Sequence, residues 1–287
     1  MRDQFHICIL SFNHPELTSR TINSCLKWTT FEKISLIHNG SQSKHQDFLI
    51  KSYPQIQHVI IEKNVGYSGG CQKAMDHGSQ LADWVLFLTN DCELLNLPTP
   101  PLKPGIYAPL LYRRKIGYID SIGGYLDINK CTLFHCRSEE DFFEILQAKS
   151  SNKKVYIPGS AFWIHSSFTS HNLRMDESLG TYWEDVDFSI QCLNKNFSLG
   201  LHLETKVRHA VGKTCQKESY YTTYLYQRNK KIICLKYSKC LPITLFKLIL
   251  QDLKLIFRFI KKRDIDRCRL LIKGYGELFY YWQNRSN

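Results

Sequence analysis

Three carboxylates fall within four positions at Glu184, Asp185 and Asp187, inside "LGTYWEDVDFSIQCL" (Leu179 to Leu193). Two aromatics, Tyr182 and Trp183, precede them, and an apolar helical pattern follows. Acids so placed have three chemical uses: they favour a helix N-terminus, ligate a divalent cation, or supply a general base. A second acidic pair, Asp91 and Glu93, closes the apolar run "WVLFLTND", with Asn90 adjoining. A carboxylate beside a diphosphate would repel it unless a cation lay between them, so this position suits a metal. His209, in "VRHAVGKT", follows another apolar run and offers an imidazole ligand.

The elements that must carry these groups are legible in the first ninety residues. Apolar runs at "HICILS", "KISLIHN", "IQHVIIE" and "WVLFLTND" alternate with helical patterns at "PELTSRTINSCLKW", around Gln46 to Lys51, and from Cys71 to Leu81. This rhythm predicts a parallel sheet covered on both faces, with ligands bound at the carboxyl edge of the strands. The residues that end the runs are Ser11-Phe12-Asn13, His38-Asn39-Gly40, Asn64-Val65-Gly66 and Asn90-Asp91. "NVGYSGG" is neither GxGxxG nor a P-loop, but Gly66, Gly69 and Gly70 permit close backbone approach ahead of a helix whose N-terminus favours anions.

From about Pro98 to Lys154 the pattern loosens into short strands with turns at Gly117 and Gly123-Gly124, expected as an insertion beside the main sheet. "VYIPGSAFWIH" reads as a strand broken at Pro158-Gly159, Glu184 to Lys195 as a helix, and "FSLGLHLETKVRHAVG" as one more strand. The chain is mostly helical in pattern from Tyr220.

The 287 residues carry a formal charge of +12, unevenly placed. Met1 to Gln227 holds 23 Lys/Arg against 22 Asp/Glu, whereas Arg228 to Asn287 holds 15 against 4 and so carries +11 of the excess. Within Ile243 to Lys262, polar residues recur at Lys247, Gln251, Lys254, Arg258 and Lys261, and nearly all the rest is Ile, Leu, Phe or Thr, with Asp252 an exception. A narrow cationic stripe on a broad apolar helix suits a membrane interface. The competing use is a helix packed on the body of the protein or on a homodimer partner. The basic residues alternate with Leu and Phe rather than with stacking aromatics, which argues against nucleic acid. Eleven scattered cysteines without a CxxC pair, and an N-terminus without a signal-peptide pattern, lead us to expect a cytoplasmic protein with reduced thiols, peripheral on the inner face of the cell membrane.

The motifs occur together and in order: "CILSFNHPEL", "IHNGS", "NVGYSGGCQKA", "LFLTNDCEL", "IPGSAFWIHSSF", "MDESLGTYWEDVDFSIQCLNKNF", "VRHAVGKT" and "YYTTYLYQRNKKI". In this the chain resembles the family 2 glycosyltransferases, over roughly Ile7 to Leu235, and especially the rhamnosyltransferase-like members that build bacterial surface polysaccharides such as O-antigen or capsule. The resemblance implies a GT-A fold, an α/β architecture with a mixed, mostly parallel sheet, flanking helices and a C-terminal helical appendage. It divides the chain into a catalytic domain over 1–218 (donor half about 1–97, acceptor half about 98–218) and a helical segment over 219–287. It implies inverting transfer from a UDP-, dTDP- or GDP-linked sugar to a hydroxyl of a glycan or lipid-linked glycan. By the same resemblance Ser11, Phe12, Asn13 and Asn39 hold the nucleotide base, and Asn64, Gly66, Gly69 and Asn90 serve ribose and diphosphate. Asp91 matches the Mg²⁺ or Mn²⁺ ligand, with His209 and the offset Glu93 completing the set, and Asp185 matches the catalytic base, with Glu184 on the acceptor side. Three departures stand out: His38 occupies a position usually Asp, Cys71-Gln72 replaces asparagines, and Thr-Asn-Asp replaces DxD. The rival chemistries are a nucleotide-sugar nucleotidyltransferase, a metal-dependent phosphoester hydrolase, and a non-catalytic module that binds glycan or membrane.

Overall fold

The computed structural model describes residues 3–113, 119–148, 152–210 and 220–283. The N-terminal part of the chain is built from β1 (Asp3–Ser11), α1 (Pro15–Cys25), β2 (Ile34–Asn39), α2 (Ser43–Ser52), β3 (Gln57–Ile61), α3 (Gly66–Leu81), β4 (Ala82–Thr89) and β5 (Cys92–Leu94). Strands β3, β2, β1 and β4 are parallel neighbours in that order, as the alternation of runs requires. β1, β2 and β4 are buried at nearly every position because both sheet faces are covered there, whereas β3, at the edge, stays partly exposed. Cys8 and Leu10 point to the α3 side, while Ile7 and Ile9 point to a second cluster that includes Ile22 and Cys25 of α1. All four strands deliver their carboxyl ends to one edge.

The chain continues through β6 (Ile106–Tyr112), β7 (Ile119–Ser121), β8 (Gly124–Asp127), β9 (Thr132–His135), α4 (Glu139–Gln147), β10 (Lys153–Tyr156) and β11 (Ala161–His165). It then forms α5 (Glu184–Asn194), β12 (Leu199–His209), α6 (Tyr220–Lys236), α7 (Leu241–Lys261) and α8 (Ile265–Gln283). β11 joins the sheet antiparallel to β4, and β6, β12 and β5 extend it, giving the mixed sheet with flanking helices and a helical C-terminal segment.

The expected insertion is only partly one. β8, β9 and β10 form a separate three-stranded sheet, but β6 lies inside the main sheet between β11 and β12. The break at Pro158-Gly159 is where the chain passes from one sheet to the other, between β10 and β11. Helix α4 was not anticipated, although Ser138 caps it by accepting from the Asp141 N–H, a pattern readable in "SEEDFFEIL". The turn expected at Gly117 and the 218/219 boundary lie outside the described residues.

The helical segment shares a core with the body. Trp183, Val186 and Ile190 of the α5 region pack in one cluster with Ile232, Ile233 and Leu235 of α6, Leu248 of α7 and Leu278 of α8. The single acid inside the apolar pattern of α7, Asp252, turns inward to the Lys231 ammonium at 2.8 Å, and both are almost wholly buried. Such a pair holds helices in register, since either charge left alone would be costly.

Candidate active site

Residues from distant parts of the chain converge at the carboxyl edge of the strands. Ser11 at the end of β1 is buried, with its Oγ 2.9 Å from Thr18 Oγ1 of α1. Asn90 is buried beside it and donates to the same hydroxyl at 3.2 Å. Phe12 remains exposed. Asn13 and His14 both adopt left-handed backbone conformations (φ 53° and 49°), unusual for residues other than glycine. The Asn13 N–H donates to Ser41 Oγ at 2.8 Å and its Oδ1 accepts from the Gln42 N–H at 3.1 Å, which locks the loop after β1 to the loop after β2.

Asn39 spends its amide on the protein. Its Nδ2 donates to the Gly66 carbonyl at 2.8 Å and its Oδ1 accepts from the Val65 N–H at 3.1 Å. Asn64 Oδ1 accepts from the Gly66 N–H at 2.9 Å. The glycine-containing stretch read as a loop is the first turn of α3, and its freedom serves close packing. Gly66 (φ 78°) lies against the Gly180 backbone, which a Cβ would approach to 3.0 Å, and the Ser68 N–H donates to the Gly180 carbonyl at 2.8 Å. A Cβ on Gly69 would meet Val65, and one on Gly70 would meet Leu10 and Asn39. The amides of this turn are therefore partly committed to the 177–180 segment, and an anion would find only the remainder.

The metal candidates divide. Asp91 is buried, and its Oδ1 accepts from Thr89 Oγ1 at 2.7 Å. Its Oδ2 faces His209 Nε2 at 3.6 Å, and its carbonyl accepts from the Ala210 N–H at 2.9 Å. The pairing of β12 with β5 sets this meeting, since His209 lies opposite Cys92. Asp91, Cys92 and His209 have ligand atoms within 4.8 Å of one another. Cys92 donates its thiol to the Ser160 carbonyl at 3.3 Å, and burial, with the Asp91 charge second, pushes its pKa well above the usual thiol value. The donors that remain are a carboxylate and an imidazole, a pair able to ligate a divalent cation. Glu93 does not join them: its carboxylate pairs with Arg208 at 3.2 Å, because alternation along β5 turns it away from Cys92.

Asp185 stands at the start of α5, half-buried. Its Oδ2 accepts from the Gly159 N–H at 3.0 Å and its Oδ1 from the Val186 N–H at 2.8 Å. Burial raises its pKa, against the pull of these two donors and of nearby His135. Glu184 is buried, with Oε2 unpartnered among the described residues. Burial first, and the neighbouring Asp185 second, hold its carboxyl well above the ordinary range. Asp187 is a tie between helices: it meets Lys236 Nζ at 2.5 Å, Tyr237 Oη at 2.8 Å and Gln191 Nε2 at 2.7 Å.

The dipeptide Gly159-Ser160 connects the two acidic centres. Gly159 donates to Asp185 and accepts from the Tyr67 hydroxyl, while the Ser160 carbonyl accepts from the Thr89 N–H at 3.0 Å, Thr89 Oγ1 at 3.2 Å and Cys92. One peptide unit thus separates the support of Asp185 from the support of Asp91. Pro158-Gly159 was read as a strand break, and Gly159-Ser160, just ahead of β11, carried no local signal of this role.

Asn229 of α6 was missed. Fully buried, its amide donates to the carbonyls of Leu179 (2.8 Å), Thr181 (2.9 Å) and Tyr182 (2.7 Å). Arg228 adds a bond to Ser178 O at 2.7 Å. These bonds brace Tyr182 and Trp183, whose φ values of 73° and 71° are left-handed, a strain of about 1–2 kcal/mol each. Strained backbone therefore occurs at both sides of the site, at Asn13-His14 and at Tyr182-Trp183. A lone Asn within the apolar face of a helix pattern was the available sign.

No family model and no curated protein matches the chain by sequence. Solved structures do match in fold. S. aureus TarS aligns at 13% identity and TM-score 0.51 over 95% of this chain and 55% of its own, so the chain spans about half of that protein. TarS 1–349 in complex with UDP aligns at 13% identity and TM-score 0.51, over 96% of this chain and 91% of that one. The mannosyltransferase PcManGT from Pyrobaculum calidifontis, in complex with GDP-Man and Mn²⁺, aligns at 9% identity and TM-score 0.50, over 96% and 75%. The α/β architecture expected from sequence, with its C-terminal helical segment, is thus a fold shared with these solved structures.

Proposed function

We propose that the chain is an inverting glycosyltransferase that moves a sugar from a nucleotide-diphosphate donor to a hydroxyl of a glycan or lipid-linked glycan, in the manner of rhamnosyltransferase-like enzymes of cell-surface polysaccharide synthesis. The fold shared with proteins solved with UDP and with GDP-Man and Mn²⁺ supports a nucleotide-sugar donor. The observation that carries the reaction type is the Gly159-Ser160 link, which places a single partly exposed carboxylate, Asp185, one peptide unit from the segment that holds Asp91.

Asp91 and His209 would hold the cation, which when bound neutralises charge on the departing diphosphate. Asp185 takes the proton of the acceptor hydroxyl as its oxygen attacks the anomeric carbon from the face opposite the diphosphate. One base suffices for inversion, unlike the paired carboxylates of most glycoside hydrolases. The Gly159 and Val186 N–H groups aim the carboxylate, and burial makes it more basic than an ordinary Asp, which suits proton abstraction. Glu184, buried beside it, supports the acceptor side. Ser11, Phe12, Asn13, Asn39, Asn64, Gly66, Gly69 and Asn90 frame the donor pocket, several by fixing loops. The division into a catalytic domain over 1–218 and a helical segment over 219–287 is part of the same proposal, with α6 bracing the first from the second.

The test is a screen of nucleotide sugars against lipid-linked acceptors with and without Mn²⁺, paired with Asp185→Asn. Loss of about 10²- to 10⁴-fold in turnover is expected, with calorimetric donor binding retained. Full activity in Asp185→Asn would sink the assignment, and nucleotide release without any acceptor would point to a hydrolase.

A further inference from the structure

We infer that α7 is a preformed docking face for an anionic lipid surface. At 100° per residue the helix divides into three faces. Thr244, Leu248 and Asp252 form the inward stripe. Opposite it lie Phe246, Ile249, Leu250, Leu253, Phe257 and Ile260, each 40% or more exposed. Along one flank run Lys247, Lys254, Arg258 and Lys261. None of these four is in an ion pair among the described residues, and Lys261 lies over the exposed Phe257 ring at 4.6 Å.

Exposed apolar side chains on this scale need an occupant. The charge pattern selects it. A second copy seated on the face would bring two cationic flanks together without a counter-charge, because the one carboxylate of α7, Asp252, is consumed by Lys231. A bilayer of anionic lipid supplies both partners at once, with acyl chains for the apolar face and phosphates for the flank. The helix is about 30 Å long and is already braced. Besides the buried Lys231–Asp252 pair, Gln251 donates to the Lys130 carbonyl at 2.7 Å, so docking orders nothing new. No helix among the described residues is long and apolar enough to cross a membrane, which fits a face that lies on one. Docking is independent of the reaction proposed above, and its test reads no activity.

The full chain is sedimented with phosphatidylcholine vesicles and with phosphatidylcholine–phosphatidylglycerol vesicles, and its own association state is measured by sedimentation velocity. Binding to the anionic vesicles alone, weakening steadily with added salt, is expected of the unaltered chain. Neutralising Lys247, Lys254, Arg258 and Lys261 to Gln lowers affinity about fivefold per charge, and Phe246→Ser with Leu253→Ser and Phe257→Ser removes binding. These side chains are exposed, so the thermal transition of each variant should match the original. Failure of the unaltered chain to bind anionic vesicles overturns the inference. So does concentration-dependent self-association that the three Ser substitutions abolish, which would make a second copy the occupant.

Discussion

Replacing Asn229 by Ala tests whether α6 is part of the catalytic architecture. The amide has two hydrogens and three carbonyl acceptors at 2.7 to 2.9 Å, all on the turn that precedes Glu184 and Asp185. Removing it deletes about two full hydrogen bonds and leaves carbonyls of Leu179, Thr181 and Tyr182 without their donor. At about 1 kcal/mol per bond, with a further contribution from the small cavity, the loss comes to about 2 to 3 kcal/mol. For a chain of this size that corresponds to a fall in Tm of about 4 to 6 °C. The turn also stores the left-handed strain of Tyr182 and Trp183, so it should relax once unbraced and carry the start of α5 with it. If Asp185 is the base, as proposed, its displacement by even a fraction of an ångström should lower turnover while donor binding is kept. Differential scanning calorimetry, donor titration and steady-state kinetics separate these effects. We expect a lower Tm, an unchanged donor Kd and a kcat reduced by tenfold or more. A variant that loses stability but keeps kcat would refute the argument that this turn positions Asp185, and one that keeps both would refute the hydrogen-bond accounting itself.

Glu184→Gln should raise stability at mildly alkaline pH by about 1 to 3 kcal/mol, because a buried carboxylate oxygen without a partner is costly when charged. The sign follows from its raised pKa: between the ordinary carboxylate value and the folded one, the unfolded chain has shed a proton that the folded chain still binds. Stability therefore falls as pH rises through that window, and the advantage of Gln should vanish below the ordinary carboxylate range, as pH-dependent denaturation would record. The acid limb of kcat/KM should lie above the ordinary Asp range for the same reason at Asp185, with activity rising as the carboxyl ionises. Asp252→Ala should cost about 3 to 5 kcal/mol by stranding the Lys231 charge, whereas the joint change Lys231→Met with Asp252→Leu should be near neutral in urea titrations.

Much of the N-terminal sheet was legible because a buried parallel strand announces itself. Runs such as "HICILS" and "WVLFLTND" admit no other use in a chain with helical spacing between them, and the residues that end them do gather at one edge. The particular work of those residues was not legible. Asn39 bonds to Asn64 and to the Gly66 carbonyl, and Gly66 admits the Gly180 turn, because partners so distant in the sequence leave no local pattern. Glu93 shows the opposite failure. Two residues from Asp91 it looks like a second ligand, and alternation alone would put the two on one face; but Asp91 lies in the turn before β5, and the register sets Glu93 opposite Arg208 rather than His209, a pairing that only the fold supplies.

The C-terminal segment shows how one irregularity can decide between readings. A helix that merely lay on a membrane would have no use for Asp252 within its apolar positions, and a helix buried in the body would have no use for Phe246, Leu253 and Phe257 left exposed. Both features are met if α7 has an inner face narrow enough to be held by one ion pair and an outer face left for a second contact. The same segment then reaches the chemistry through α6. Lys236 bonds Asp187 two residues beyond the proposed base, Asn229 bonds the turn just before it, and α7 begins five residues after Lys236. Through α6 the C-terminal segment is thus bonded to the turn and helix that carry Glu184 and Asp185, a connection that the +11 charge of the tail could not by itself reveal.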